Sequence, residues 1–95
     1  MNFHVAVGEP ASSFIRHLSP EPRRAIKKAL KALCTESGDI RSLEQELTGY
    51  YRVRVGKYRI IFRYRNEATI EVPFVEERSL VYEVFAEQFI KRLKS

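Results

Sequence analysis

The sequence predicts an α+β fold, in which an antiparallel β-sheet (element order β-α-α-β-β-β) carries an N-terminal helical hairpin on one face. Three observations favour this class. A short alternating segment is followed by two segments with helical spacing of apolar residues. Three more alternating segments then follow one another, separated by short turns. The chain has 95 residues, so we expect a single domain over residues 1–95 with one modest core.

The first half of the chain predicts one strand and two helices. Apolar residues alternate over 3–7, as in a strand with one face toward a core, and recur at helical spacing over 11–18. A second helix is expected from Ser19 and Pro20, because a hydroxyl can cap the first turn and proline has its φ already set. One side of this helix is apolar. Its other side carries five cations, Arg23, Arg24, Lys27, Lys28 and Lys31.

The second half predicts a strand meander. Residues 39–47 leave two alternatives open, a single helical turn or a loop anchored by leucines. The Gly56-Lys57 pair is expected to turn a β-hairpin. The predicted elements are strands at 50–55, 58–65 and 69–75, a charged loop at 76–79, a short extended piece at 80–84 and a possible short C-terminal helix from Phe85.

Charge and composition narrow the classes of function. The formal net charge is +5, and a basic protein of this kind attracts polyanions, most often nucleic acid. No apolar run is long enough to span a membrane, and the N-terminus lacks the pattern of a secretory signal. Cys34 is the only cysteine, which excludes an internal disulfide and fits a reducing cytoplasm. We therefore expect a cytoplasmic protein without a membrane partner.

Basic residues are concentrated on one side of the predicted hairpin. Alternation places Arg52 and Arg54 opposite the apolar side of the first strand, and it places Arg59 and Arg63 opposite the apolar side of the second. No acid occurs between Thr48 and Asn66, so we expect this basic side to stay in contact with solvent. The residues predicted to bind RNA are Arg52, Arg54, Lys57, Arg63 and Arg65. The alternative is an ordinary polar sheet surface.

The hairpin also resembles a known family. The run LTGYYRVRVGKYRIIFRY, followed by a further strand and by ERSLVYEVF, resembles the RelE/ParE superfamily of toxins from bacterial type II toxin–antitoxin systems. In RelE-type members, the resemblance implies a ribosome-dependent mRNA endoribonuclease, an enzyme that inhibits translation. In ParE-type members it implies an inhibitor of DNA gyrase. A third possibility is a catalytically weakened homologue that still binds its antitoxin.

The resemblance also implies roles for single residues. Arg59 would clamp the scissile phosphate, Arg78 would be a basic residue of the late loop, and Tyr82 would stack on a base and join in proton transfer. Cleavage would use the 2′-hydroxyl of the RNA as nucleophile, with no metal and no other cofactor. Arg52 and Arg54 stand where relatives often carry lysine, which is a better proton donor or acceptor than arginine.

Glu76 is a second departure from the family pattern. Some RelE-type toxins carry an arginine six residues before the tyrosine, where this chain has Glu76. Two interpretations are open. Glu76 can pair with nearby arginines, or it can serve as a general base. The partners implied are a cognate antitoxin protein, the ribosome and mRNA, and no small-molecule ligand is expected.

Overall fold

The computed structural model describes residues 2–77 and confirms the α+β class. In chain order the elements are β1 (His4–Val7), α1 (Glu9–Arg16), α2 (Pro20–Leu33), β2 (Ile40–Ser42), a short 3-10 helix (Gln45–Leu47), β3 (Tyr51–Val55), β4 (Tyr58–Tyr64) and β5 (Thr69–Glu77). The predicted helical pair, hairpin and third meander strand are therefore present.

The five strands form one sheet in the order β1-β5-β4-β3-β2. Strands β2 to β5 are antiparallel neighbours, whereas β1 pairs parallel with β5. The prediction of a purely antiparallel sheet is therefore wrong, because the sheet is mixed. After β1 the two helices carry the chain to the far edge, and the meander returns strand by strand until β5 runs in the same direction as β1.

The ambiguous segment contains an additional strand. Residues 40–42 form β2 and pair with β3, and the 3-10 helix follows directly. Only three residues belong to β2, too few for an alternating pattern to be recognised. The segment between the two strands folds over one side of the sheet, where Leu47 and Tyr50 pack with Ile61 and Phe74.

The main core lies between the helices and the other side of the sheet. Ile26 and Leu33 of α2 are fully buried against sheet residues such as Ile60 and Phe62. The sheet residues that pack toward this core include Tyr51, Val53, Val55, Tyr58, Ile60, Phe62 and Tyr64. The predicted apolar sides of both hairpin strands are thus confirmed. We call the opposite side of the sheet the second face.

Strand β5 is longer than predicted and contains a bulge. Its pairing with β4 shifts between Ile61 and Arg63, where Val72 and Pro73 together lie opposite one β4 residue. A bulge accommodates Pro73, which cannot donate a backbone hydrogen bond. Glu76 and Glu77 continue the strand instead of belonging to a loop, so that part of the predicted 76–79 loop is wrong.

Several predictions fall outside the described residues. The extended piece at 80–84, the C-terminal helix from Phe85, and the site residues Arg78 and Tyr82 all lie in this part of the chain. Among residues 2–77, no helix combines the length and the apolar character needed to cross a membrane.

Candidate nucleic-acid interface

Strand pairing arranges the side chains of the second face in rows. One row contains Arg54 of β3, Arg59 of β4 and Glu76 of β5, because Arg54 pairs with Arg59 and Arg59 pairs with Glu76. Directly opposed side chains in antiparallel strands have Cβ atoms about 5 Å apart. The register therefore brings two guanidinium groups and one carboxyl group together, and we call this set the Arg54–Arg59–Glu76 row.

Glu76 is the most unusual titratable group of the row. Its exposed fraction is only 4%, although its side chain is polar. Burial disfavours the charged carboxylate and raises the pKa of Glu76 to about 7, while the positive charge of Arg59 acts in the opposite direction. A carboxyl with this pKa can take up or release a proton near neutral pH.

Arg54 adds a second cation to the row, on the other side of Arg59 from this carboxyl. Like charges opposed across two strands repel each other, and Arg54 lies directly opposite Arg59. The Nε atom of Arg54 is buried, and it has no hydrogen-bond partner within residues 2–77. An anion held between the two guanidinium groups would relieve the repulsion and accept hydrogen bonds.

In the next row of the second face, Arg52 of β3 lies opposite Ile61 of β4 and has a structural role. Arg52 has an exposed fraction of 9% and donates a hydrogen bond of 2.9 Å from Nη1 to the backbone carbonyl of Asp39. The same nitrogen lies 3.4 Å from the Asp39 carboxylate. Arg52 therefore ties β3 to the segment before β2, and little of its guanidinium reaches solvent.

A third group of charges lies near the start of β5. Arg63 and Arg65 both donate hydrogen bonds from Nε to the Glu71 carboxylate, each at 2.9 Å. Arg63 also lies over the ring of Tyr50, with its Cζ atom 5.8 Å from the ring centroid. The hydrogen bond from Arg65, assisted by Arg63, holds the pKa of Glu71 below its ordinary value. Glu71 therefore stays ionised at neutral pH.

Lys57 is also paired with an acid. Its Nζ atom lies 3.4 Å from a carboxylate oxygen of Glu77 and 5.6 Å from the ring centroid of Tyr58. Tyr58 is the first residue of β4, and Glu77 is the last residue of β5. Lys57 therefore lies at the turn of the hairpin, beyond the rows of the second face.

The expectation that the whole basic side stays in contact with solvent is wrong, because Arg52 is buried and most of the hairpin cations are paired with acids. Arg52, Lys57, Arg63 and Arg65 all have acidic partners, which come from Asp39 and from β5. A search for acids inside the hairpin could not find them, since sheet pairing brings them from segments distant in sequence. The RNA-binding and catalytic roles of the predicted residues stay predictions.

Sequence reasoning noted Glu76 but missed Glu71. Strict alternation along β5 would put Glu71 and Glu76 on opposite faces, and only the bulge at Pro73 brings both acids onto the second face. Among the described residues, no group of three or more His, Cys, Asp or Glu side chains is arranged to hold a metal ion.

Comparison with known proteins places this fold among toxins. The family model described as the ParE toxin of the type II toxin–antitoxin system parDE matches residues 11–82. A search of curated proteins gives no match to the sequence.

Solved structures give the same answer for the fold. A chain of the RelBE2 toxin–antitoxin complex from Mycobacterium tuberculosis is 25% identical, with a TM-score of 0.70 over 84% of this chain and 95% of that chain. A chain of the RelB–RelE antitoxin–toxin complex from Methanococcus jannaschii is 26% identical, with a TM-score of 0.66 over 84% and 98%. A mutant of Escherichia coli RelE in the free state is 20% identical, with a TM-score of 0.73 over 98% and 99%.

Proposed function

Because the chain belongs to the ParE toxin family of type II toxin–antitoxin systems, we propose that it inhibits translation as a ribosome-dependent mRNA endoribonuclease. The observation that carries this proposal is the Arg54–Arg59–Glu76 row. It combines two cations for a phosphate with one carboxyl that titrates near neutral pH. An inhibitory protein that only binds its target has no need for such a carboxyl.

The two arginines of the row serve the phosphate. When the 2′-hydroxyl attacks its neighbouring phosphorus, negative charge grows on the non-bridging oxygens. A guanidinium keeps its charge at any ordinary pH and can donate two parallel hydrogen bonds to phosphate. Arg59 clamps the scissile phosphate, and Arg54, whose buried Nε has no hydrogen-bond partner within residues 2–77, stabilises the same charge from β3.

Glu76 serves as the general base in this proposal. Its ionised form accepts the proton of the 2′-hydroxyl as the new bond to phosphorus forms, and the bond to the 5′ oxygen then breaks. Neither Arg52 nor Arg54 can supply this step, because a guanidinium does not give up its proton at neutral pH. The role of lysine in some relatives is therefore transferred to a carboxyl on the neighbouring strand.

Arg78 and Tyr82 keep the roles that the family resemblance implies. Arg78 adds positive charge beside the phosphate. Tyr82 stacks on a base and assists protonation of the 5′ leaving oxygen. Arg63 and Arg65 carry two positive charges and share one negative charge, that of Glu71, so the group keeps a net charge of about +1. This charge attracts the phosphate backbone of the flanking nucleotides.

An antitoxin is the second partner that we propose. Solved relatives from Mycobacterium tuberculosis and Methanococcus jannaschii are toxin–antitoxin complexes. The net charge of +5 suits an acidic antitoxin. The family model describes a toxin of a toxin–antitoxin system, so an antitoxin is expected to accompany this chain.

A cell-free translation assay tests the nuclease proposal. Message is incubated with the protein in the presence and in the absence of ribosomes, and cleavage ends are mapped by primer extension. We expect cuts only when ribosomes are present, and we expect Glu76→Gln to remove them. Intact message in both reactions, from a folded protein that still stops growth, would overturn the proposal.

The ParE name of the family model favours one other function, inhibition of DNA gyrase. The same protein preparation is therefore incubated with gyrase and supercoiled plasmid. Accumulation of cleaved gyrase–DNA complexes, together with uncut message, would replace the nuclease proposal with this second one.

A further inference from the structure

A pocket of about 410 Å³ lies beside β1 and β5, and its lining begins at Phe74, two residues before Glu76 of the Arg54–Arg59–Glu76 row. Its walls include Ala6, Val7, Pro73 and Phe74, and its rim carries Arg65 and Glu71. We propose that this pocket binds one nucleobase of the RNA substrate and so sets which message sequences are cut. The inference rests on the proposed function, since it names a subsite for the same substrate.

The pocket lies close to the Arg54–Arg59–Glu76 row along β5. Glu76, Phe74 and Glu71 all project from β5 onto the second face, because their partners on β4 are Arg59, Ile61 and Arg63. Two residues along a strand advance the chain by about 7 Å. The pocket therefore begins about one such step from the row that would hold the scissile phosphate. A nucleotide that flanks the scissile phosphate would therefore lie within reach of the pocket.

The walls of the pocket suit a flat apolar ring. Pro73 offers a rigid pyrrolidine, the largely buried Phe74 contributes the part of its ring that lines the pocket, and Ala6 leaves the space that a larger side chain would fill. A volume of about 410 Å³ is at the small end of ordinary ligand pockets.

The rim supplies polar groups that can distinguish one base from another. The Glu71 carboxylate accepts hydrogen bonds, and its lowered pKa keeps it ionised at neutral pH. The Arg65 guanidinium donates hydrogen bonds and holds Glu71 in place through its Nε atom at 2.9 Å. A base edge that presents N–H groups would be preferred beside Glu71.

A second pocket gives a matched control. It has a volume of about 390 Å³ and lies between the start of α2 and the hairpin turn, with Ala25 and Tyr58 among its lining residues. Its lining residues include none that project onto the second face. Ala25→Leu should reduce the volume of this pocket without changing any residue of the second face.

The test uses 2′-O-methyl trinucleotides, which cannot be cleaved because the nucleophilic hydroxyl is blocked. Each base is varied at one position, and binding to the full chain is followed by the backbone amide NMR signals of Gly8 and Phe74, which both line the pocket. We expect these signals to shift and one base to bind about tenfold more tightly than the weakest, the effect of one base edge that is hydrogen-bonded at the rim. In Ala6→Leu the preference should disappear, whereas Ala25→Leu should bind as the unchanged protein does.

Two results would overturn the inference. The first is that the Gly8 and Phe74 signals of the unchanged protein stay in place at trinucleotide concentrations that shift signals of the Arg54–Arg59–Glu76 row. The second is a folded Ala6→Leu protein with the same base preference. Failure of the nuclease proposal has a different signature, since base-selective binding would then persist while ribosome-bound message stays uncut.

Discussion

Arg59 lies directly opposite Glu76 across the β4–β5 pair, and the carboxyl of Glu76 is almost completely buried. Two effects therefore act on the same proton. Burial favours the neutral acid, whereas the guanidinium favours the carboxylate, and burial is the larger of the two. The pKa of Glu76 is accordingly about 7, which makes this pair a titratable element inside a field of permanent positive charge.

The first prediction concerns the stability of the folded protein between pH 4.5 and 7. The pKa of Glu76 is raised from 4.5 to about 7, so the folded state binds more protons than the unfolded state in this window. The free energy of unfolding should therefore fall as the pH rises, by about 3 kcal/mol in total. Urea unfolding at pH 4.5, 5.5, 6.5 and 7.5 measures this slope.

Glu76→Gln provides the matching variant, because it keeps the shape but cannot ionise. We expect the downward slope to disappear in this protein. Glu77→Gln is the control, since the neighbouring side chain is half-buried and paired with Lys57 instead of Arg59. A slope that survives in Glu76→Gln would show that another group causes it.

The second prediction concerns Arg59 and growth inhibition. Arg59→Ala should abolish toxicity because the proposed clamp on the phosphate is removed, and the protein should still fold. Colony counts after induction measure toxicity, and circular dichroism checks the fold. Arg41→Ala is the control, since Arg41 is an exposed arginine of β2 opposite Arg52 in the register. Full toxicity of a folded Arg59→Ala protein would contradict the assigned role.

The third prediction separates a structural arginine from a functional one. Arg52→Ala should lower the free energy of unfolding by about 2–3 kcal/mol, because it removes a buried hydrogen bond and an ion pair to Asp39. Arg54→Ala should cost less stability, since it also removes repulsion with Arg59, yet it should lose message cleavage. Thermal unfolding and the ribosome assay together distinguish the two. Equal losses of stability in both variants would contradict the different roles assigned to Arg52 and Arg54.

The sequence predicted the elements of the fold better than their arrangement. Alternation in residues 51–55 and 58–64 identified both hairpin strands and the correct apolar side of each, because side-chain direction in a strand is a local property. The parallel pairing of β1 with β5 is not local. It depends on where the helices return the chain, which no pattern within β1 records.

The charges of the candidate site show the same limit. The positions of Arg63 and Arg65 on the second face followed from alternation, but their neutralisation by Glu71 did not. Glu71 lies in another strand, and a bulge between it and Glu76 conceals that both acids share a face. Positive charge counted along the sequence therefore overestimated the net charge of the surface.

The fourth prediction concerns Glu71 and has the opposite pH dependence from Glu76. Hydrogen bonds from Arg65 and Arg63 lower the pKa of Glu71, so its stabilising effect is complete above the ordinary carboxyl pKa and is lost as the pH falls through the lowered value. Glu71→Gln should therefore cost about 1–2 kcal/mol at pH 7 and much less at pH 3. Glu67→Gln, at an exposed position in the β4–β5 turn, should have little effect at either pH. Urea unfolding of both variants at the two pH values measures the difference, and an equal loss for Glu71→Gln at pH 3 and pH 7 would mean that the arginines do not stabilise its charge.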